Sequence, residues 1–209
     1  MSEHGWSNLY GLIIGINKYA AEQHQDLDGC VADATSMFNY FVEDLRVPQG
    51  QLLRLFDEQA TRDGIINAFW THLINNKNIK PSDPIVIYFA GHGNSLPAPT
   101  GIYTSDGRWE FILPHDAGTK YVDGSYNFGI PDRTIGALLY KLSQEKGDNI
   151  TVIFDSCFSG GATRGRARAR RSEDPNAPPI PSSLDKDIVQ ITPATLIHTS
   201  FSLHVRITS

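Results

Sequence analysis

Apolar residues in this chain fall into short unbroken runs, separated by stretches in which they recur every three or four positions. Leu9 to Ile16 (LYGLIIGI) reads as a first strand, and Asn17 to Asp28 as a polar loop. From about Val31 to Leu45, residues Val31, Ala34, Phe38, Val42 and Leu45 share one face at helical spacing. Val47-Pro48-Gln49-Gly50 ends that helix. Leu52 to Phe56 is a second strand. Thr61 suits the N-cap of a helix running to about Ile74, with Ile66, Phe69, Leu73 and Ile74 inward. After a turn over Pro81 to Pro84 comes PIVIYFAGHG (Pro84 to Gly93), whose apolar part reads as a strand buried on both faces.

Residues 94 to 131 are loop-rich. Gly101 to Ser105 and Trp109 to Leu113 flank Asp106-Gly107, a two-residue hairpin signal. Tyr121 to Gly129 is expected to be exposed. Pro131-Asp132 opens a helix through about Lys146, with Ile135, Leu138, Leu139 and Leu142 on one face and Gly147 closing it. Ile150 to Phe154 is a further run of the buried-strand type. Strand and helix in alternation predict a parallel sheet with helices on its faces. After Gly161 the pattern breaks. Arg164, Arg166, Arg168, Arg170 and Arg171 crowd together, Ser172 to Asp187 mixes prolines with small polar residues, and from Ile188 the chain alternates like a strand toward Ile207.

Composition narrows the picture little. At 209 residues, 40% hydrophobic and 20% charged, the chain suits one globular domain. A net charge of −5 gives no reason to expect nucleic acid, and the apolar runs are too short to cross a membrane. The N-terminus lacks the basic and apolar regions of a secretory signal, so a cytoplasmic location is expected, with the nucleus open as an additional one. The 2 cysteines then read as reduced thiols.

Chemistry enters at the ends of two strands. Asp155, Ser156 and Cys157 follow Ile150 to Phe154, where groups in open α/β sheets meet ligands. A lone cysteine is more often a buried structural thiol. His92, between Gly91 and Gly93 at the end of the preceding buried run, changes that balance. If the two strands are neighbours, thiol and imidazole face one another across the sheet rim as a pair for nucleophilic catalysis. The other histidines, His4, His24, His72, His115, His198 and His204, read as solvated or satisfied.

YFAGHG followed by DSCFSG resembles the caspase-like cysteine peptidases (the peptidase C14 caspase domain), and among them the metacaspases. LYGLIIGIN (Leu9 to Asn17), LDGCVADA (Leu27 to Ala34), ATRDGI (Ala60 to Ile65) and ILPHDA (Ile112 to Ala117) extend the resemblance over most of residues 9 to 161. It implies an α/β fold, a caspase-like three-layer α/β/α sandwich with a mostly parallel central sheet. The last strands of that fold are in question, because the residues after Cys157 do not match them. The chain divides accordingly into a lead (1–8), a caspase-like catalytic domain (9–163), an Arg/Pro-rich segment (164–187) and a strand-like tail (188–209).

The activity implied is that of a cysteine endopeptidase cutting after Arg or Lys in protein or peptide substrates. Cys157 would be the nucleophile and His92 the general acid–base, with backbone N–H groups of Gly93 and Cys157 as oxyanion donors. No third orienting side chain is evident, and the family works with a dyad. Asp33 and Asp155, with Cys30 beside them, match the substrate-binding pocket of metacaspases. Carboxylates in a partly dry pocket want a cation. Ordinary reasons for the same residues exist: Asp33 suits a helix N-terminus and Asp155 a turn. Many metacaspases carry serine two residues before the histidine, where this chain has Ala90.

No cofactor is required by this chemistry. Calcium activates many metacaspases, and Asp106, Glu110, Asp116 and Asp123 lie in the corresponding loop region without EF-hand spacing, so calcium is left open as an activator and no metal site is assigned. The arginine cluster reads either as a self-processing site or as a solvated basic loop. A Cys-x5-Arg phosphatase loop is excluded by Thr163, and no G-x-G-x-x-G follows the first strand. The competing reading is a divergent or truncated caspase-like module acting as a non-enzymatic binding or regulatory partner. The oligomeric state is open, and a role in apoptosis is only what the family name suggests.

Overall fold

The computed structural model describes residues 6–98 and 107–156. Its centre is a parallel sheet of β1 (Tyr10–Gly15), β2 (Leu52–Phe56), β3 (Ile85–Ala90) and β7 (Ile150–Asp155), in the order β2-β1-β3-β7. The helices are α1 (Cys30–Asn39), α2 (Arg62–Ala68) and α3 (Asp132–Lys146). Side chains alternate across a strand, and the two faces of this sheet carry two separate cores. Leu12, Ile14, Ile85, Ile87 and Phe89 pack with Ile65 of α2 and Ile135, Leu138 and Leu142 of α3. Ile13, Val86, Tyr88 and Ala90 pack with Ala34 and Phe38 of α1. The result is the expected three-layer α/β/α architecture.

Every residue of β3 is buried, as its apolar run requires. The β7 run was expected to be buried on both faces too, yet its residues are half-buried or exposed. Among the described strands β7 lies at the sheet edge and pairs with β3 alone.

Helix ends follow their local chemistry. The Thr61 hydroxyl accepts from the Gly64 N–H at 3.0 Å, capping α2 as its position predicts. Thr61→Ala should cost about 1 kcal/mol, read as a lower urea midpoint at unchanged slope; an unmoved midpoint would refute the cap. Both α1 and α2 continue into a wider π-helical turn, Tyr40–Asp44 and Phe69–Ile74, so each helical stretch ends near its expected boundary. Gly147, at φ 87°, stops α3.

Most of the described residues between 94 and 131 are loop, as expected, and a small antiparallel sheet of β4 (Gly93–Pro97), β5 (Arg108–Ile112) and β6 (Ile130–Pro131) runs through them. Gly107 has φ 71°, as a hairpin glycine can, but β5 pairs with β4, and Ala98 donates to the Gly107 carbonyl at 2.9 Å. Gly101 to Ser105 lies outside the described residues. Tyr121 to Gly129 is exposed only in its first part; Asn127 and Gly129 are buried. Gly129, at φ 98°, packs so closely on the Ile112 carbonyl that a Cβ would come to 2.6 Å.

Candidate active site

The site forms where β3, β7 and the start of α1 meet at the carboxyl end of the parallel sheet. β3 and β7 are neighbours in parallel register, with Ala90 opposite Asp155. Alternation puts Tyr88 and Ala90 on the α1 side of β3, and Ile153, two residues before Asp155, packs on that side of β7. Gly15 makes close approach of α1 possible. A Cβ there would stand 2.7 Å from the Ala34 Cβ and 2.8 Å from the Cys30 carbonyl oxygen. The first turn of α1, with Cys30 and Asp33, therefore rests on the end of β1.

His92 is half-buried between β3 and β4. Its carbonyl accepts from the Leu113 N–H at 2.9 Å and its own N–H donates to the Tyr19 hydroxyl at 2.7 Å. The Tyr19 ring packs against the imidazole, centroids 4.9 Å apart. Burial pushes the Tyr19 phenol well up, so it stays protonated. The His92 Nε2 stands 2.8 Å from the Gln25 carbonyl oxygen. A carbonyl only accepts, so Nε2 carries the ring proton, and the neutral ring keeps its lone pair on Nδ1. A backbone carbonyl thus orients the His92 ring, where no side chain was expected to.

The polar loop Asn17 to Asp28 delivers Tyr19 and Gln25. The Asp57 carboxylate accepts from the N–H groups of Asn17 and Lys18, at 2.7 and 2.9 Å. The Asp26 carboxylate accepts from the Tyr19 N–H at 3.1 Å, and the Asn17 side-chain oxygen accepts from the Val31 N–H at 3.2 Å. His115 of ILPHDA places Nδ1 2.7 Å from the Lys18 carbonyl oxygen. His72, within 3.1 and 3.2 Å of two carbonyl oxygens, is satisfied as expected, and His24 is half-buried against Tyr19. His4, His198 and His204 lie outside the described residues.

Asp33 and Asp155 are both exposed, and both act on the same two groups. Burial, then Asp155, then Asp33 push the Cys30 thiol up to about 11. Burial and the Asp155 carboxylate likewise raise the Tyr88 phenol, whose hydroxyl donates to Asp155 Oδ2 at 3.2 Å. Cys30 is therefore protonated at neutral pH and a poor nucleophile. At pH 8 its thiolate fraction falls by about two orders of magnitude below that of an ordinary thiol. Iodoacetamide labelling followed by peptide mapping should find Cys30 slower by about tenfold or more, since the higher intrinsic nucleophilicity of its thiolate offsets part of the loss; labelling at the free-thiol rate would contradict it.

Sequence reading missed Tyr19, Tyr88 and Gln25. Tyr88 was legible as a same-face neighbour of Ala90, two residues along β3. Tyr19 and a backbone carbonyl gave no distinguishing signal. Cys157, the arginine cluster, Asp106 and the tail lie outside the described residues. Among the described residues, no three His, Cys, Asp or Glu side chains gather as a metal site would require, and no helix is long and apolar enough to cross a membrane. Asp116 accepts from the Arg62 N–H at 2.8 Å, and Asp123 accepts from Ser125.

A parallel sheet between helices, with a histidine at one strand end and acidic residues at its rim, is the arrangement that the caspase-like resemblance implies. The family model described as "Metacaspase, peptidase C14 domain" matches residues 10–164, and the chain belongs to that family. Metacaspase-1A of Aspergillus oryzae is 32% identical over 157 residues, 72% of this chain and 34% of that protein. Metacaspase-1 of Saccharomyces cerevisiae is 31% identical over 156 residues, 71% of this chain and 33% of its own length. The chain thus spans about a third of these curated relatives. A crystal structure of a protein from Geobacter sulfurreducens superposes with a TM-score of 0.53 at 25% identity, covering 74% of this chain and 52% of that one.

Proposed function

We propose that this chain is a cysteine endopeptidase that hydrolyses peptide bonds after Arg or Lys through a Cys157–His92 dyad. The observation that carries the reading is the β3–β7 register. With Ala90 opposite Asp155, His92 and Cys157 each follow their strand by two positions. The Cys157 thiol would give its proton to His92 Nδ1, and the thiolate would attack the scissile carbonyl carbon. The tetrahedral oxyanion would take hydrogen bonds from the N–H groups of Gly93 and Cys157. Support for Gly93 comes from ladder geometry. The bond from the Leu113 N–H to the His92 carbonyl makes the next pair, Gly93 and Ile112, a non-hydrogen-bonded one, so the Gly93 N–H turns away from β5. His92 would then protonate the leaving amine, and water would release the acyl group from sulfur.

The paired carboxylates Asp33 and Asp155, acting together on Cys30 and Tyr88, support a cation-binding pocket. An aspartate side chain in the substrate would meet like charge there. Fluorogenic peptides ending in Arg, Lys or Asp test the reading, with wild-type and Cys157→Ala proteins, each with and without calcium. Cleavage after Arg or Lys that disappears in Cys157→Ala is the expected result, and the calcium arm reports on activation. Cleavage after Asp would overturn the pocket. No cleavage by a folded protein would favour a binding module over a peptidase.

A further inference from the structure

The Asp155 carboxylate belongs to an exposed residue, yet one of its oxygens meets a donor from the core. Tyr88 is only 4% exposed, its ring held among the residues packed under α1. It lies opposite Ile153, so its hydroxyl reaches along the sheet to the residue two positions further on β7. The residue directly opposite Asp155 is Ala90, which has no hydroxyl to offer. Tyr88 and Ala90 share one face of β3. The first is therefore the side chain of that face that can replace a donor missing at the second.

We propose that Tyr88 is a specificity-determining positioning residue, whose hydroxyl holds the Asp155 carboxylate at the sheet rim and presents its outer oxygen to the cationic side chain of the substrate. The proposal rests on the reading of Asp33 and Asp155 as a basic-residue pocket. A buried tyrosine suits the task. Packing has already fixed its two torsions, so little freedom is lost in holding its partner. With its phenol pushed up by burial and Asp155, it donates at every pH at which a carboxylate accepts. An unsupported Asp155 would swing through several rotamers, and a substrate guanidinium or ammonium would have to order it on binding.

Two peptides that differ at one position, arginine or its neutral isostere citrulline, separate this role from general stability. Their Kd values on Cys157→Ala protein read the pocket without catalysis, and KM and kcat on the otherwise unchanged chain follow. Tyr88→Phe should lower the arginine preference about tenfold, through Kd and KM, with kcat little changed. Adding Ala90→Ser to Tyr88→Phe should restore most of the preference, because a hydroxyl returns to the same carboxylate. Ala90→Ser alone should change it by no more than about twofold, since Asp155 is already held.

An unchanged preference in Tyr88→Phe, beside a collapsed one in Asp155→Asn, would overturn the role of Tyr88 and leave the pocket standing. An unchanged preference in both would overturn the pocket and the proposal with it. Should Tyr88→Phe not fold, Ala90→Ser alone decides: a tenfold rise in preference would mean that Asp155 is not already held.

Discussion

Replacing His92 with alanine should lower kcat/KM for an arginine peptide by on the order of 10³-fold, with kcat taking nearly all of the loss. In the proposed dyad the imidazole would both accept the thiol proton and hand a proton to the leaving amine, and no other histidine among the described residues is placed for both. His72 is bonded to two carbonyls away from the rim, and His115 is turned onto the Lys18 carbonyl. His24 packs on the other contact of Tyr19, with burial, then the nearby His92, lowering its pKa. The variant should keep its fold, because Tyr19 and the His92 backbone N–H still meet when the ring is gone. A kcat within tenfold of wild type would show that proton transfer does not pass through His92. Steady-state kinetics together with a thermal melt distinguish the two outcomes.

Asp155→Asn should cut kcat/KM for arginine and lysine peptides by about 10- to 100-fold, while the slow cleavage of a citrulline peptide changes little. The substitution keeps size and most hydrogen-bonding capacity but removes one of the two charges of the proposed pocket. Its Tyr88 partner can still donate to the amide oxygen, so the loss isolates charge from shape. The same change should ease the Cys30 thiol back toward its ordinary value, since Asp155 is the largest charge acting on it. Faster labelling of Cys30 in Asp155→Asn is thus an independent sign that the carboxylate faces the pocket. Loss of arginine and citrulline cleavage in equal proportion would instead mean that Asp155 supports the fold or the chemistry, not recognition.

Much of this layout was legible in the residue pattern, and the parts that were not share a physical cause. Buried parallel strands announce themselves as apolar runs, so β1 and β3 fell where expected. Thr61 marked the start of α2 because its hydroxyl is needed by a helix N–H, and the apolar face of α3 is buried as its period requires. β4 is different. Gly93–Pro97 reads GNSLP, a loop by composition, and is a strand only because β5 lies beside it. The π-helical turns leave no compositional trace, since they are differences in backbone winding. The half-exposure of β7 goes with its pairing, among the described strands, to β3 alone, which a run of apolar residues does not encode.

The site divides in the same way. His92 and the acidic pair stood out by residue type and by their places at strand and helix ends. The contacts that orient them did not. Gln25 acts through a carbonyl that any residue would carry, and Tyr19 and Tyr88 look like core aromatics until their hydroxyl partners are known. Two residues in the loop before α1 thus hold the histidine, and one core tyrosine meets the acid opposite Ala90.

The most direct measurement is covalent trapping. The folded protein is treated with an arginine-ending peptide carrying an electrophilic ketone that alkylates a nearby thiolate, and the modified peptide is located by mass spectrometry. A single adduct on Cys157, formed more slowly when Asp155→Asn weakens recognition or His92→Ala removes the base, is the expected result. An adduct on Cys30, or none on Cys157 in a protein that still melts cooperatively, would contradict a Cys157–His92 peptidase.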